Sequence, residues 1–204
     1  MQKNIMQSTH NKIEELIKKK GRGKIIFAND FSLYGTHYAV RHALSRLCQN
    51  GMIVRLSAGI YLYPKIDKEL GLLYPSLDTV AKNIAKKDKA RIAPTGLYAL
   101  NRLGLSTQVP MNIVYLTDGS PRRIKIGKGK GILFKHTAPK NLAFKNDLAM
   151  LVVFALKEIT KDRVTREHLD RIKYVIQKVS KEDILQDINL MPAWIKSLIK
   201  KLYE

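Results

Sequence analysis

Apolar residues recur at helical spacing from Thr9 to Lys20, where Ile13, Leu16 and Ile17 fall on one side between lysines and glutamates, and Gly21 and Gly23 end the run. The apolar run Ile25-Ile26-Phe27 predicts a short strand over 24–28, and Asn29 is placed to cap a brief helical turn closed by Gly35. From Thr36 the stripe Ala39, Val40, Ala43, Leu44, Leu47 and Cys48 predicts an amphipathic helix, stopped by Asn50-Gly51. Met52 to Leu56 and Ile60 to Tyr63, separated by Ser57-Ala58-Gly59, read as a β-hairpin that Pro64 ends. Helix, strand, short helix, longer helix and hairpin is the order of a winged helix-turn-helix, assigned to residues 1–65.

Residues 66–75, with Gly71 and Pro75, read as a connector. Beyond it, Ser76 caps a helix reaching Lys87, and a second helix follows Pro94-Thr95 with Leu97, Leu100 and Leu103 on its inner side. Met111 to Thr117, Arg122 to Ile126 and Ile132 to His136, joined by two glycine-containing turns, predict an antiparallel meander. Four helices are then expected, opening at Asn146, Thr165, Ser180 and Pro192. The fold class expected is α+β: an N-terminal winged helix-turn-helix, then a mixed α/β domain over 76–204 with an antiparallel basic meander and a C-terminal helical tail.

Charge changes this picture most. Of 204 residues, 45% are apolar and 26% charged, which suits a globular chain, yet 37 basic against 17 acidic residues leave a net +20. Residues 1–70 carry 12 basic and 5 acidic residues, residues 71–140 carry 13 and 3, and residues 141–204 carry 12 and 9. The excess therefore lies in the first two thirds, and such self-repulsion implies a polyanionic partner, nucleic acid first. Duplex DNA suits the predicted helix from Thr36, since one α-helix fits the major groove. Thr36, His37, Tyr38, Arg41, His42 and Ser45 lie toward the groove in that reading, with Arg41 the candidate for a bidentate guanine contact. Arg46, Arg55 and the hairpin tip at Ser57 are the candidate phosphate contacts. Arg122, Arg123, Lys125, Lys128, Lys130 and Lys135 in the meander form a secondary basic surface, which adds affinity without sequence choice if it meets phosphates and is otherwise a solvated hairpin.

Signs of catalysis are scarce. Gly127 to Gly131, G-K-G-K-G, lacks the Ser or Thr and the following helix of a phosphate-binding loop. The histidines His10, His37, His42, His136 and His168 show no metal-binding spacing, and no clustered Asp/Glu pair suits metal-dependent phosphodiester cleavage. No catalytic residue, metal or cofactor is expected. Cys48 is the single cysteine, so no internal disulfide or thiolate zinc cage can form, and its place on the apolar stripe marks a core residue. No run is long enough to span a bilayer, and Met1 to His10 lacks the apolar segment of a signal peptide, so a reduced, cytoplasmic, soluble protein is expected.

Two ordered motifs carry a family resemblance. The run Ala39 to Pro64, A-V-R-H-A-L-S-R-L-C-Q-N-G-M-I-V-R-L-S-A-G-I-Y-L-Y-P, resembles the winged-helix domain of the AbiEi-type antitoxins of type IV toxin–antitoxin systems. Ala93 to Pro110, A-P-T-G-L-Y-A-L-N-R-L-G-L-S-T-Q-V-P, with the following N-I-V-Y-L-T-D-G-S-P-R-R-I-K-I-G, looks like the start of that family's second domain. The resemblance implies a bacterial, non-enzymatic antitoxin that binds inverted repeats of double-stranded operator DNA, represses its own operon and counteracts a nucleotidyltransferase-like toxin. A monomer or weak dimer is expected, with copies meeting on DNA either as a preformed dimer or as cooperative monomers. Ala58 stands where such hairpins often carry a basic residue before the glycine. The alternatives are a stand-alone winged-helix regulator and an RNA-binding or catalytic protein.

Overall fold

The structure, a computed structural model, describes residues 8–127 and 129–204. It is a mixed α+β fold in two units, Met1–Val80 and Ala81–Glu204.

In the first unit, α1 (Thr9–Lys20) opens on Ser8, whose hydroxyl accepts the Asn11 N–H, and closes with three lysines that complement the helix dipole. Its Ile13 and Ile17 are fully buried. β1 (Lys24–Phe27), β2 (Val54–Ser57) and β3 (Ile60–Tyr63) form an antiparallel sheet in the order β1-β3-β2. A 3₁₀ helix, Ala28–Tyr34, follows β1 and buries Phe31. Its Asp30 carboxylate accepts the Phe27 N–H and the Lys20 ammonium, the latter at 2.6 Å, so it ties α1 to the strand end. α2 (His37–Gln49) starts at Thr36, whose hydroxyl accepts the Ala39 N–H, and buries Val40, Ala43, Leu44 and Leu47 against Ile13, Ile17 and Phe31. Ala39 and Cys48, on the margins of that stripe, are only half-buried.

The connector expected over 66–75 contains a hairpin instead. β4 (Lys65–Asp67) pairs antiparallel with β5 (Gly71–Leu73). Asp67 makes the turn: its Oδ1 accepts the N–H groups of Glu69 and Leu70, and Gly71 supplies the positive φ. The division between units falls inside α3 (Leu77–Asp88), whose Val80, Ala81, Ile84 and Ala85 are buried.

The second unit corrects the meander. Its sheet has the order β6-β7-β9-β8, built from β6 (Ile92–Thr95), β7 (Asn112–Thr117), β8 (Arg122–Ile126) and β9 (Lys130–His136). β7 and β9 run parallel, while β8 pairs only with β9, antiparallel. Burial explains the order: β9 brings Ile132 and Phe134 to the core, while β8 buries Ile124 alone among its basic residues. The apolar strand takes the interior and the charged one the edge, where charge discourages further pairing. β6, for which the sequence gives no strand signal, is the opposite edge, where Pro94 is tolerated because a missing N–H costs least there.

α4 (Gly96–Leu103), α5 (Asp147–Ile159), α6 (Arg166–Ile176), α7 (Lys181–Leu185) and α8 (Ala193–Leu202) complete the unit. Asn146, Thr165 and Ser180 cap α5, α6 and α7 through side-chain oxygens, as their positions predict. α5 is buried almost all round and its Val152, Val153 and Leu156 meet Ile172, Ile195 and Ile199. Among the described residues no helix is long and apolar enough to cross a membrane.

Asp118 accepts the backbone N–H and the Nε–H of Arg91, each at 2.8 Å. Burial pushes its carboxyl upward, but the bonds and charge of Arg91 outweigh that, so it sits below its ordinary value. The folded state then holds this carboxylate's proton less tightly than the unfolded chain does. Its contribution to stability is complete above the unfolded carboxylate range and disappears as pH falls through the depressed folded value. Asp118→Asn is expected to flatten that acid limb in melting curves taken across mildly to strongly acid pH. An unchanged limb would assign the acid sensitivity to other carboxylates.

Candidate nucleic-acid interface

α2 presents two exposed rows. His37, Arg41 and Ser45 follow one another at i, i+4 and i+8, and Tyr38, His42 and Arg46 form the neighbouring row; all six side chains are exposed. Tyr38 is 72% exposed, and its ring leans on His42 with centroids 4.1 Å apart. It does not pack beneath the hairpin.

The hairpin supplies the second wall. Ser57 pairs with Ile60 across Ala58-Gly59, and Gly59, at φ +71°, makes the reversal without steric cost. The register shifts by one residue between Arg55 and Ser57, and Arg55 stands opposite Tyr61. A bulge of this kind re-aims the side chains around it. Between α2, the hairpin and the 3₁₀ helix lies a cleft of about 540 Å³, lined by His37, Arg41 and Ser45 of the first α2 row, by Cys48 and Gln49, and by Arg55 and Tyr61. Asn29 and Ser32 close it from the 3₁₀ helix.

The electrostatics of this face are one-sided. No Asp or Glu occurs between Asp30 and Asp67, a span covering the whole of α2 and the hairpin. Among the described residues Arg41, Arg46 and Arg55 have neither an ion-pair nor a hydrogen-bond partner. Unpaired guanidiniums are available to an incoming anion without first breaking a bond. Burial pushes the Tyr61 hydroxyl up, against the smaller pull of Arg55 and Arg41, so it remains a protonated donor. Burial also raises the Cys48 thiol above its ordinary value, with Arg55 opposing, so it is not a poised thiolate.

The expected residues do not all play one part. Thr36 is spent as the helix cap. Ser57 is half-buried at the end of β2, outside the cleft lining. Tyr38, His42 and Arg46 lie on the row beside the cleft. Asn29, Ser32, Gln49 and Tyr61 were missed by reading the sequence, because only the packing of three elements gathers them. The carboxylate-free span is the linear signal that marks the face as a whole.

The basic strands of the second unit divide as well. Arg122 pairs with Asp88 and lies over the Phe134 ring at 5.9 Å, so its charge is already engaged. Arg123, Lys125 and Lys135 are exposed and share the sheet face opposite Ile124 and Phe134. Lys130 is exposed at the start of β9, on the other parity. Lys128 lies outside the described residues. Among the described residues no three His, Cys, Asp or Glu side chains gather as a metal site.

Among solved structures, the crystal structure of the RV2827C protein from Mycobacterium tuberculosis is similar at 13% identity and a TM-score of 0.47, covering 93% of this chain and 74% of that one. No curated protein sequence matches. The family described as "Family of unknown function (DUF6088)" matches residues 12–184, and the chain belongs to that family.

Proposed function

We propose that the protein is a DNA-binding autorepressor and antitoxin: a winged helix-turn-helix whose α2 enters the major groove, acting in the bacterial cytoplasm with a nucleotidyltransferase-like toxin as its functional partner. One observation carries the DNA-binding part, the surface of α2 and the hairpin, where three guanidiniums stand unpaired and no carboxylate intervenes. An α-helix with an exposed polar row fits the groove, and an Arg projecting from it can bond guanine O6 and N7 together. Arg46, on the flanking row, and Arg55, on the hairpin, take the phosphates on either side in this reading. The antitoxin role rests on the two sequence motifs that resemble the AbiEi-type antitoxins.

Arg41→Ala tests the base-reading assignment. It is expected to cost about 1–3 kcal/mol on the chain's own upstream region and to relax base preference, as measured by gel shift against a random duplex. Equal loss on both duplexes would reassign Arg41 to the DNA backbone. Footprinting on that upstream region locates the operator, and co-expression with a neighbouring nucleotidyltransferase reading frame tests the antitoxin role through rescue of growth. Rescue without a footprint would separate the antitoxin from the repressor.

A further inference from the structure

The cleft beside α2 is larger than a groove-reading helix requires. A flat polar ridge is enough to meet base edges, whereas about 540 Å³ is in the range of small-molecule sites. Its lining is of three kinds. Arg41, from α2, and Arg55, from the hairpin, both line it, unpaired and with no carboxylate among the lining residues. Tyr61 and Val40, both largely buried in the core, add an aromatic and an aliphatic residue to the lining. Ser45 and Gln49 offer donors and acceptors that no other described residue uses. Two guanidiniums suit a phosphate, an aromatic and an aliphatic residue suit the apolar part of a planar ring, and an amide beside a hydroxyl suits the polar edge of that ring.

We propose that this cleft binds a single nucleotide unit, with its phosphate between Arg41 and Arg55 and its base over Tyr61 within reach of Ser45 and Gln49. A phosphate alone would leave most of the volume unused. The nucleotide comes either free from solution or as an unpaired residue of a nucleic acid strand. If free, it takes the arginines that the duplex needs, so it competes with DNA.

Cys48 gives a direct readout, because it is the only cysteine and lines the cleft. The full-length protein is alkylated with iodoacetamide at mildly alkaline pH, alone or with AMP, GMP, adenosine, inorganic phosphate, a short single strand or a duplex. AMP or GMP at about ten times its Kd is expected to slow alkylation about tenfold, following the unoccupied fraction. Arg41→Ala and Arg55→Ala are expected to lose that protection, and Arg46→Ala, outside the cleft, to keep it, with circular-dichroism melting confirming that each variant folds. Protection by mononucleotide together with release of a bound duplex assigns a free ligand. Protection by the single strand but not by mononucleotide assigns an unpaired residue of a polymer. Protection by inorganic phosphate as strong as by AMP, protection by duplex alone, or none at all would overturn the proposal. Gel shifts on the same preparation decide duplex binding separately, so either reading can fail while the other stands.

Discussion

Affinity for a duplex promoter fragment is expected to fall by about 10³–10⁵ between about 50 and 200 mM salt, provided six or more phosphates are engaged. Each phosphate neutralised by Lys or Arg releases condensed counterions, and added salt removes that entropic gain. The arginines of α2 and the hairpin are suited to such contacts because no internal ion pair must be broken first. A gel-shift titration over this range gives the slope directly. Arg46→Ala should reduce the slope by about 1 and weaken operator and random duplex alike. A flat response would remove phosphates from the interface, and with them the proposed winged-helix docking.

The second large effect concerns stability. Asp187 is 2% exposed, and its carboxylate accepts the Lys145 N–H with both oxygens, at 2.9 and 3.0 Å, and the Asn146 N–H at 2.8 Å. These N–H groups lie at the entry to α5, the most buried helix of the second unit. Asp187→Ala leaves two donors without an acceptor. Both donors are only partly buried, so the loss is about 1–3 kcal/mol in all, still a large share of a typical domain's stability. Asp187→Asn keeps one acceptor oxygen and should lose less. Trp194, the single tryptophan, packs against the same core and reports unfolding of this unit in a urea titration. An Ala variant as stable as the parent would show that water replaces the carboxylate.

Neither motif nor period announced Asp187. It lies forty-one residues from Asn146 in sequence and reads as one more solvated charge among the C-terminal helices. The caps themselves were legible: Asn146, Thr165 and Ser180 bond backbone N–H groups two or three residues ahead, an interaction that needs no tertiary contact. The hairpin of Met52 to Tyr63 was legible for the same reason, since its turn residues and the two apolar segments flanking them are local. The connector was misread because a two-stranded hairpin of three-residue strands has too little pattern to stand out. Of the candidate site, Arg41, Ser45 and Arg55 were readable as exposed positions of predicted elements. Tyr61 was not, because in the continuous apolar run Ile60 to Tyr63 nothing local distinguishes the residue that borders a cleft from those that only fill the core.

The sequence by itself determined the α+β composition, most helix limits, the apolar underside of α2 and the concentration of positive charge in the first two thirds of the chain. All of these depend on residues a few positions apart or on simple sums over the chain. Tertiary structure alone decided that β9 runs between β7 and β8, that Arg122 is neutralised by Asp88 while Arg41 and Arg55 remain unpaired, and that three separate segments enclose one cleft. Those outcomes depend on which distant surfaces compete for the same burial, and burial is settled by the whole core rather than by any local run of residues.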